Sequence, residues 1–323
     1  MESFSQELQE IFSSRFKEQE SLSQYTNFRI GGPAKWFVET ISREEIIKVI
    51  DFAKQYQIPF FILGGGSNVL VSDKGFDGLI IKFAHRSYKI EGTVVTADAG
   101  VLSAFLSRKL GQSGLSGLEW AITLPGTIGG AVRGNAGCFG GEMKDCVESV
   151  SVYRNGEVIQ LSKEELHFSY RHSIVKETSD SILGVTLHLH PGDKNLIAKK
   201  MEEVIGKRKS TQPTHAGSAG CLFKNYEIKK GEDLSLVKQH AIIPEAMLER
   251  GQISCGWLID NVLGLTGTKI GDAQISHEHG NFVLNLGNAT ADEVMQLIAY
   301  VKTQARNRCG IELEEEVQLI GFH

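Results

Sequence analysis

Hydrophobic and polar residues follow two spacings along this chain, one typical of helices and one typical of strands. Apolar residues three and four positions apart, together with one charged stretch of helical character, predict helices over 43–57, 102–110, 198–208 and 291–307. Alternating or continuous apolar runs predict strands over 60–63, 79–83, 147–153, 157–161, 182–189 and 311–320, with another beginning at 94. Because both kinds of element are interspersed, the chain is predicted to have an α+β fold.

Two short polar stretches separate these predicted elements. Arg154, Asn155 and Gly156 lie between two of the strands, and Asn-Gly is a strong signal for a tight hairpin turn. The stretch 209–214 follows the charged helix and is predicted to be a linker.

Composition and charge narrow the class of protein. The chain has 323 residues, of which 41% are hydrophobic, enough for two or three domains with their own cores. A net charge of −5 gives no reason to expect nucleic acid or an anionic membrane as a partner. Residues 1–20 predict an amphipathic helix without the basic start and apolar core of a signal peptide. No apolar run approaches the ~20 residues of a membrane span, so we expect a cytoplasmic protein.

Cysteine and histidine spacing gives no sign of a metal site. The five cysteines show no C-x-x-C spacing and are expected to be reduced thiols: Cys138, Cys146, Cys221, Cys255 and Cys309. The pairs His188/His190 and His277/His279 have no neighbouring cysteine or acidic cluster in the sequence. We therefore expect no bound metal.

Two glycine-rich stretches are the most informative part of the sequence. Gly64-Gly65-Gly66-Ser67-Asn68 follows the predicted strand 60–63, and a longer glycine-rich stretch covers 123–137. Such stretches offer main-chain N–H groups and space for a flat or phosphorylated ligand, and two of them suit a dinucleotide. The alternative is that both are tight turns without a ligand. No G-x-G-x-x-G follows a strand and no P-loop motif occurs, which disfavours Rossmann and P-loop folds.

Five ordered motifs resemble a known enzyme family. They are GGGSNVL (64–70), GLEWAITLPGTIGGAVRGNAG (117–137), SYRHSIVK (169–176), GSAGCLFKN (217–225) and IELEEEVQLIG (311–321). In this order and spacing they resemble the UDP-N-acetylenolpyruvoylglucosamine reductases (UDP-N-acetylmuramate dehydrogenases). These flavoproteins complete UDP-N-acetylmuramate for peptidoglycan. The resemblance runs from about residue 27 to residue 321.

The resemblance implies a domain organisation and a cofactor. Residues 1–26 would form an N-terminal helical extension. Residues 27–192 would form a PCMH-type FAD-binding domain of two subdomains, split near 82, and 207–323 a C-terminal α+β substrate-binding domain. The FAD would be bound non-covalently, and the protein is expected to be a monomer. The implied cofactor-binding residues are Gly64, Gly65, Gly66, Ser67, Asn68, Pro125, Gly126, Thr127, Gly129, Gly130, Asn135 and Gly137.

The resemblance also implies a reaction and its residues. A hydride from NADPH would pass through flavin N5 to the enolpyruvyl double bond of UDP-N-acetylglucosamine enolpyruvate. Arg171 and Glu316 would act at the substrate carboxylate, and a proton donor would protonate the adjacent carbon. By motif position that donor is Cys221. The implied substrate-binding residues are Tyr170, Arg171, Lys224, Asn225 and Gln274.

The sequence departs from the family pattern at three places. Cys221 stands where many members have serine; a thiol, with a reference pKa of about 8.5, is the stronger acid of the two. Tyr226 stands where many relatives have proline. The charged stretch 226–254 is longer than in compact members, and an extra loop over the substrate entrance is one interpretation of it. Its role stays open.

Two other functions remain alternatives at this level. A flavin oxidase or dehydrogenase of the same fold, acting on an alcohol or hydroxy acid, would share the glycine loops but would need a base instead of the proton donor. A flavin- or nucleotide-binding module without turnover would share them as well. Each candidate residue also has an ordinary structural interpretation: a surface arginine, a solvated glutamate or a small buried cysteine.

Overall fold

The computed structural model of the chain describes residues 2–322, and these fall into two compact units. The first unit comprises residues 2–20, 34–65 and 77–210. The second comprises residues 21–33, 66–76 and the chain from 211 onward. The glycine loop 64–68 therefore contributes two residues to the first unit and three to the second.

Helices and strands are mixed along the chain, as the sequence predicts. The α-helices are α1 (Glu2–Phe12), α2 (Arg43–Gln55), α3 (Ser103–Gln112), α4 (Ile128–Arg133), α5 (Lys194–Thr211), α6 (Ser235–Lys238), α7 (Glu245–Glu249), α8 (Cys255–Trp257) and α9 (Ala291–Cys309). The strands are β1 (Phe16–Ser21), β2 (Pro33–Thr40), β3 (Phe60–Leu63), β4 (Val69–Val71), β5 (Phe76–Phe83), β6 (Tyr88–Glu91), β7 (Val94–Asp98), β8 (Leu115–Ser116), β9 (Gly137–Cys138), β10 (Gly141–Glu142), β11 (Val147–Arg154), β12 (Glu157–Ser162), β13 (Ser181–His188), β14 (His190–Pro191), β15 (Tyr226–Glu227), β16 (Gln252–Ile253), β17 (Lys269–Ile270), β18 (Ala273–Ile275), β19 (Val283–Asn285) and β20 (Gln318–Ile320).

A four-stranded sheet in the first unit ends at the first glycine loop. Its strand order is β1-β2-β5-β3, and β3 runs parallel to β5 with Leu63 opposite Lys82. The predicted helix 43–57 is confirmed as α2, whose apolar stripe is buried and whose N-terminus is capped by the Ser42 side chain. Phe4 and Leu8 of α1 are buried in the same core.

The second sheet of the first unit is antiparallel, with the order β12-β11-β13-β7-β6. The predicted hairpin is confirmed: Arg154 pairs with Glu157, and the turn residues Asn155 and Gly156 have φ of 49° and 93°. Two positive φ values are what a two-residue turn matched to the strand twist requires. Both faces of β11 and β13 contribute to the main core.

The second unit is built around the long helix α9. One face of α9 is buried, including Val294, Leu297, Ile298 and Val301. The strands β17-β18-β19 form a small antiparallel sheet, and β20 pairs in parallel with β4. This last pairing ties the segment after the glycine loop to the C-terminal end of the chain.

Three predicted segments differ from the structure. The amphipathic helix predicted over 1–20 is α-helical only over Glu2–Phe12, and Phe16–Ser21 form the strand β1. The helix predicted over 198–208 extends from Lys194 to Thr211, so half of the predicted linker 209–214 is helical. The strand predicted over 311–320 is regular only at β20. Residues 311–317 do alternate in burial, but they hydrogen-bond to the short segment around Leu222 and Lys224 instead of to a full strand. The alternating apolar residues in this segment therefore reflect alternating burial, although the segment is not paired as a continuous strand.

Among residues 2–322, none of the helices combines the length and the apolar character that crossing a bilayer requires. Within the same residues none of the five cysteines forms a disulfide; three are buried, while Cys138 and Cys221 are half-buried.

The N-terminus of α9 supplies a stability prediction. Thr290 and Glu293 form a capping box, and the Asp73 carboxylate accepts hydrogen bonds from the N–H groups of Ala291 (2.8 Å) and Asp292 (3.0 Å). We expect Asp73→Ala to destabilise the second unit by about 1–2 kcal/mol, because two helix N–H groups lose their acceptor and the helix dipole loses a favourable charge. Urea unfolding followed by circular dichroism measures the shift.

Asp77→Ala serves as the control, since the Asp77 side chain is largely exposed and pairs with Lys35 at the surface. An equal, small shift in both variants would contradict the capping role of Asp73.

Candidate active site

The two glycine-rich stretches contact each other within the first unit. A β-carbon at Gly64 would lie 2.6 Å from Oγ1 of Thr127, and one at Gly65 would lie 2.3 Å from Cα of Gly126. No side chain fits between main chains that approach so closely. Gly126 also has φ of 97°, a conformation that favours glycine. The structure thus brings together two loops that are separated by about 60 residues in sequence.

The other glycines predicted to bind the cofactor have structural roles: some allow close packing, and one allows a turn. Gly129 packs on Ala99 and Gly137 on Glu142, each so closely that an added β-carbon would clash at 2.6 Å. Gly66, in the second unit, has φ of 64° and accepts a hydrogen bond from Asn27 N–H at 2.8 Å. Gly130 donates its N–H to the Thr127 hydroxyl, which caps α4. Part of the glycine content therefore serves close helix and loop packing.

The side chain of Asn135 fixes the end of the second glycine loop through hydrogen bonds. Its buried side chain donates to Glu142 Oε2 (2.7 Å) and to the carbonyl of Ser169 (3.0 Å), and it accepts from Lys144 N–H (2.9 Å). These contacts use both amide hydrogens and the amide oxygen. The side chain is thus committed to the protein and joins the loop to the segment that carries Arg171.

Arg171 is held in a defined and strained conformation. Its φ is 54°, which costs a non-glycine residue about 1 kcal/mol or more. Its carbonyl accepts a hydrogen bond from Lys176 Nζ at 2.6 Å, and its guanidinium carbon lies 5.2 Å from the ring centre of Tyr170. Ser173 donates its hydroxyl to the carbonyl of Arg133 at 2.8 Å. The segment 169–173 is therefore fixed at both ends, and it presents a planar cation.

A second arginine, which the sequence analysis did not single out, lies in the same region. Arg208, in the last turn of α5, donates to the Thr123 hydroxyl at 3.5 Å. Burial raises the pKa of the Cys138 thiol, while the nearby cations Arg208 and Arg171 lower it. Both arginines thus act on one neighbourhood of the first unit. The signal available in sequence was only a basic cluster at a helix end, a common feature.

Lys82 is the other residue that the sequence analysis missed. It lies on β5, and its ammonium donates a hydrogen bond to the carbonyl of Gly64. Burial, with a smaller contribution from the Arg86 charge, lowers its pKa to about 8. The signal was a single lysine in the otherwise apolar run Leu79-Ile80-Ile81-Lys82-Phe83.

In the second unit, Cys221 and Glu316 lie on adjacent segments. Leu222 accepts at its carbonyl the N–H of Glu316 (2.7 Å) and donates its own N–H to the carbonyl of Asn281 (2.8 Å). Cys221 itself pairs with Phe282 in an isolated bridge. The Asn281 side chain bonds both main-chain groups of Phe223, so this short strand is fixed from both sides.

The three consecutive glutamates have different surroundings. Glu314 forms an ion pair with Lys224, and Glu315 pairs with Lys302 at 2.8 Å. The carbonyl of Glu316 accepts the side-chain amide of Asn68 at 3.0 Å. Two of the glutamates therefore make ordinary surface ion pairs, and Glu316 is the one tied to both the Cys221 segment and the glycine loop.

Of the predicted substrate-binding residues, three lie in the second unit and two in the first. Asn225 accepts the N–H of Cys255 at its side-chain oxygen (3.2 Å), and Gln274 donates to the carbonyl of Gly267 (3.1 Å). Lys224 shares its charge with Glu314. Tyr170 lies in the first unit together with Arg171.

The long stretch 226–254 forms a loop that is closed at its base by two short strands. Its two ends pair as β15 and β16, with Tyr226 opposite Ile253. The Tyr226 hydroxyl bonds the Glu232 carboxylate, and burial together with that carboxylate raises the pKa of Tyr226 to about 12. Ile242 near its tip is 93% exposed.

Within residues 2–322, no three histidine, cysteine, aspartate or glutamate side chains come together in a group able to hold a metal ion. The chemistry-bearing groups are thus two arginines and a buried lysine in the first unit, and a thiol and a carboxylate in the second.

Comparison with known proteins first defines the class. A family model described as an FAD binding domain matches residues 34–162. This range contains both glycine loops, and the mixture of helices and strands agrees with the predicted α+β fold. The chain has the FAD-binding domain of a flavin-dependent oxidoreductase.

The comparisons then define the family. A model described as the UDP-N-acetylenolpyruvoylglucosamine reductase C-terminal domain matches residues 212–320. The reductase of Caldanaerobacter subterraneus subsp. tengcongensis is 38% identical over 94% of this chain and 92% of its own length. That of Lachnoclostridium phytofermentans is 38% identical over 98% and 96%. The crystal structure of the Thermus caldophilus reductase matches with a TM-score of 0.76 and 35% identity, covering 94% and 98%. The chain belongs to the UDP-N-acetylenolpyruvoylglucosamine reductase family of oxidoreductases.

The reactivity of the cysteine thiols tests the burial that the structure gives them. Burial raises the pKa of Cys146 and of Cys255 to about 12, and for Cys255 the neighbouring Cys221 and Glu316 add to the rise. We expect both to stay unmodified by iodoacetamide at pH 8, where only about one such thiol in 10⁴ is ionised. Half-buried Cys221 is expected to react. Peptide mass spectrometry identifies the labelled positions.

Labelling in urea, where all five cysteines are expected to react, is the control. Modification of Cys255 in the folded protein as fast as Cys221 would contradict the burial described for it.

Proposed function

We propose that the protein is an NADPH-dependent flavoenzyme that reduces the enolpyruvyl group of UDP-N-acetylglucosamine enolpyruvate to give UDP-N-acetylmuramate. The names of its relatives support the substrate class. The proposed setting is peptidoglycan precursor synthesis in the cytoplasm, with the protein acting as a monomer.

The residues of the two glycine loops fit FAD. An added β-carbon at Gly64 or Gly65 would clash with Thr127 or Gly126, so the two loops can lie against each other only without side chains there. Glycine-rich loops of this kind expose main-chain N–H groups that suit the pyrophosphate of a dinucleotide. We propose that the loops 64–68 and 125–130 hold the cofactor. FAD held there would supply two-electron redox chemistry, with NADPH as the hydride donor and the enolpyruvyl double bond as the acceptor.

Arg171 is proposed to stabilise the charge that this reduction creates. Adding a hydride to an enol ether leaves negative charge on the adjacent carbon and its carboxylate, and this charge needs a cation or hydrogen-bond donors. A guanidinium offers a planar fork that matches a carboxylate. The clamp through Asn135, Ser173 and Lys176 fixes the main chain of this arginine in advance, so little ordering is left for the reaction.

Cys221 is proposed to donate the proton that completes the reaction, with Glu316 orienting the substrate carboxylate. The observation that carries this assignment is the hydrogen bond between Leu222 and Glu316, which places the thiol segment directly beside that glutamate. A flavin oxidase acting on an alcohol would need a base in place of a proton donor. A positioned acid contributes a factor of about 10²–10⁴ to the rate.

The proposed reaction is tested without oxygen. We expect NADPH to bleach the yellow flavin band of the protein, and addition of UDP-N-acetylglucosamine enolpyruvate to restore the band with formation of UDP-N-acetylmuramate. Bleaching without recovery would indicate a flavin enzyme with another acceptor. A protein that holds no flavin even after FAD is added would contradict the cofactor proposal itself.

Variants of Cys221 separate the two half-reactions. We expect Cys221→Ala to keep flavin reduction by NADPH but to slow reoxidation by substrate about 10²–10⁴-fold, because the proton donor is gone. Cys221→Ser should retain measurable turnover, since a hydroxyl still carries a proton. Stopped-flow absorbance under anaerobic conditions measures both steps.

Cys309→Ala is the matched control, because Cys309 is a buried thiol at the end of α9 with no part in the proposed chemistry. Normal reoxidation in the Cys221→Ala variant would refute the role of the thiol.

A further inference from the structure

Lys82 lies directly beneath the first glycine loop. β5 places it opposite Leu63, the last residue of β3, and its ammonium donates a hydrogen bond to the carbonyl of Gly64, the first residue of the loop. In the otherwise apolar run 79–83 of this strand, burial of a lysine costs the desolvation of its charge. Such a residue needs a compensating interaction.

The hydrogen bond from Lys82 determines which way the loop presents its main chain. The carbonyl of Gly64 and the N–H of Gly65 belong to one planar trans peptide, so they point in opposite directions. With the carbonyl held toward Lys82, the Gly65 N–H is directed away from the lysine. Within residues 2–322 this N–H has no hydrogen-bond acceptor. A main-chain donor held in this way is suited to an anionic ligand.

Two charged side chains of opposite sign act on Lys82, and the cation has the larger effect. Arg86, on the segment after β5, lowers the pKa of Lys82, and in the described part of the chain it makes no hydrogen bond or ion pair. Glu39, on the neighbouring strand β2, acts in the opposite direction, with a smaller effect than burial or Arg86. The positive charges of Lys82 and Arg86 repel each other, and an anion bound nearby would offset that repulsion.

We propose that Lys82 is a positioning residue for the pyrophosphate of FAD, holding the Gly64 carbonyl so that the Gly65 N–H faces the phosphates and contributing positive charge together with Arg86. This inference rests on the proposed function, because it assumes that FAD occupies the glycine loops. It adds a residue from outside both glycine motifs to the cofactor site.

The test measures FAD affinity directly. The full-length protein is stripped of flavin, and the quenching of FAD fluorescence is titrated at pH 7 for the wild type, Lys82→Met, Lys82→Arg and Lys89→Met. We expect Lys82→Met to weaken FAD binding about 10- to 100-fold, because this is the effect of losing one charge-assisted hydrogen bond. Lys82→Arg should restore most of the affinity. Lys89→Met removes an exposed lysine that pairs with Glu91, and it should bind as the wild type does.

A pH profile distinguishes this role from a merely structural one. A cation that favours anion binding is fully charged below its pKa and loses that charge above it. The wild-type dissociation constant for FAD should therefore be flat from pH 6 to 7.5 and rise above about pH 8, by up to tenfold per pH unit. In Lys82→Met and Lys82→Arg the rise should be absent up to pH 9.5, because neither side chain titrates there.

The outcomes separate this inference from the proposed function. FAD binding by Lys82→Met that matches Lys89→Met, or a wild-type profile that is flat to pH 9.5, would overturn the role of Lys82 and leave the reductase proposal intact. Failure of the wild-type protein to bind FAD at all would overturn both. If Lys82→Met does not fold, the wild-type profile and the Lys82→Arg variant still decide the question.

Discussion

The close approach of two main chains, Gly65 against Gly126, is the constraint on which the cofactor region depends. A β-carbon on Gly65 would lie 2.3 Å from Cα of Gly126, so any side chain at this position would push the loops apart. β3 ends directly before the first loop, and α4 begins at Ile128, inside the second glycine-rich stretch. Their separation is therefore set by the absence of side chains at a few positions. Lys82 donates a hydrogen bond to the carbonyl of Gly64, and the hydroxyl of Thr127, which caps α4, lies next to Gly64.

The chemistry-bearing residues are held by main-chain hydrogen bonds in two separate frames. In the first unit, Asn135 and Ser173 tie the Arg171 segment to the end of α4 and the loop that follows it. In the second, Leu222 and Asn281 hold the Cys221 segment beside Glu316. Each frame is rigid because its polar groups are satisfied within the protein, which leaves the functional side chains as the adjustable parts. Cysteine in place of serine at the proposed proton-donating position fits this scheme, since it would change the acid without changing the frame.

Much of the fold was predictable because it depends on local spacing. The stripe of α2, the Asn-Gly hairpin and the long helix α9 each carry their signal within a few residues, and each is confirmed. The strand predicted over 311–320 was wrong for most of its length, since alternating burial there comes from packing against the Leu222 segment. The predicted linker at 209–214 was wrong in its first half, because polar residues continue the exposed end of α5.

The amino-acid sequence by itself determined the class of protein, the family and the positions of its motifs, because glycine loops and ordered motifs are properties of the chain. Only the tertiary structure decided which residues meet. It placed Gly65 against Gly126, Lys82 next to Gly64 and Arg208 near Cys138, contacts between residues 18 to 70 positions apart. It also assigned Glu314 and Glu315 to surface lysines and left Glu316 beside Cys221. The spacing of residues along the chain does not predict such contacts, because they arise only when packing brings distant segments together.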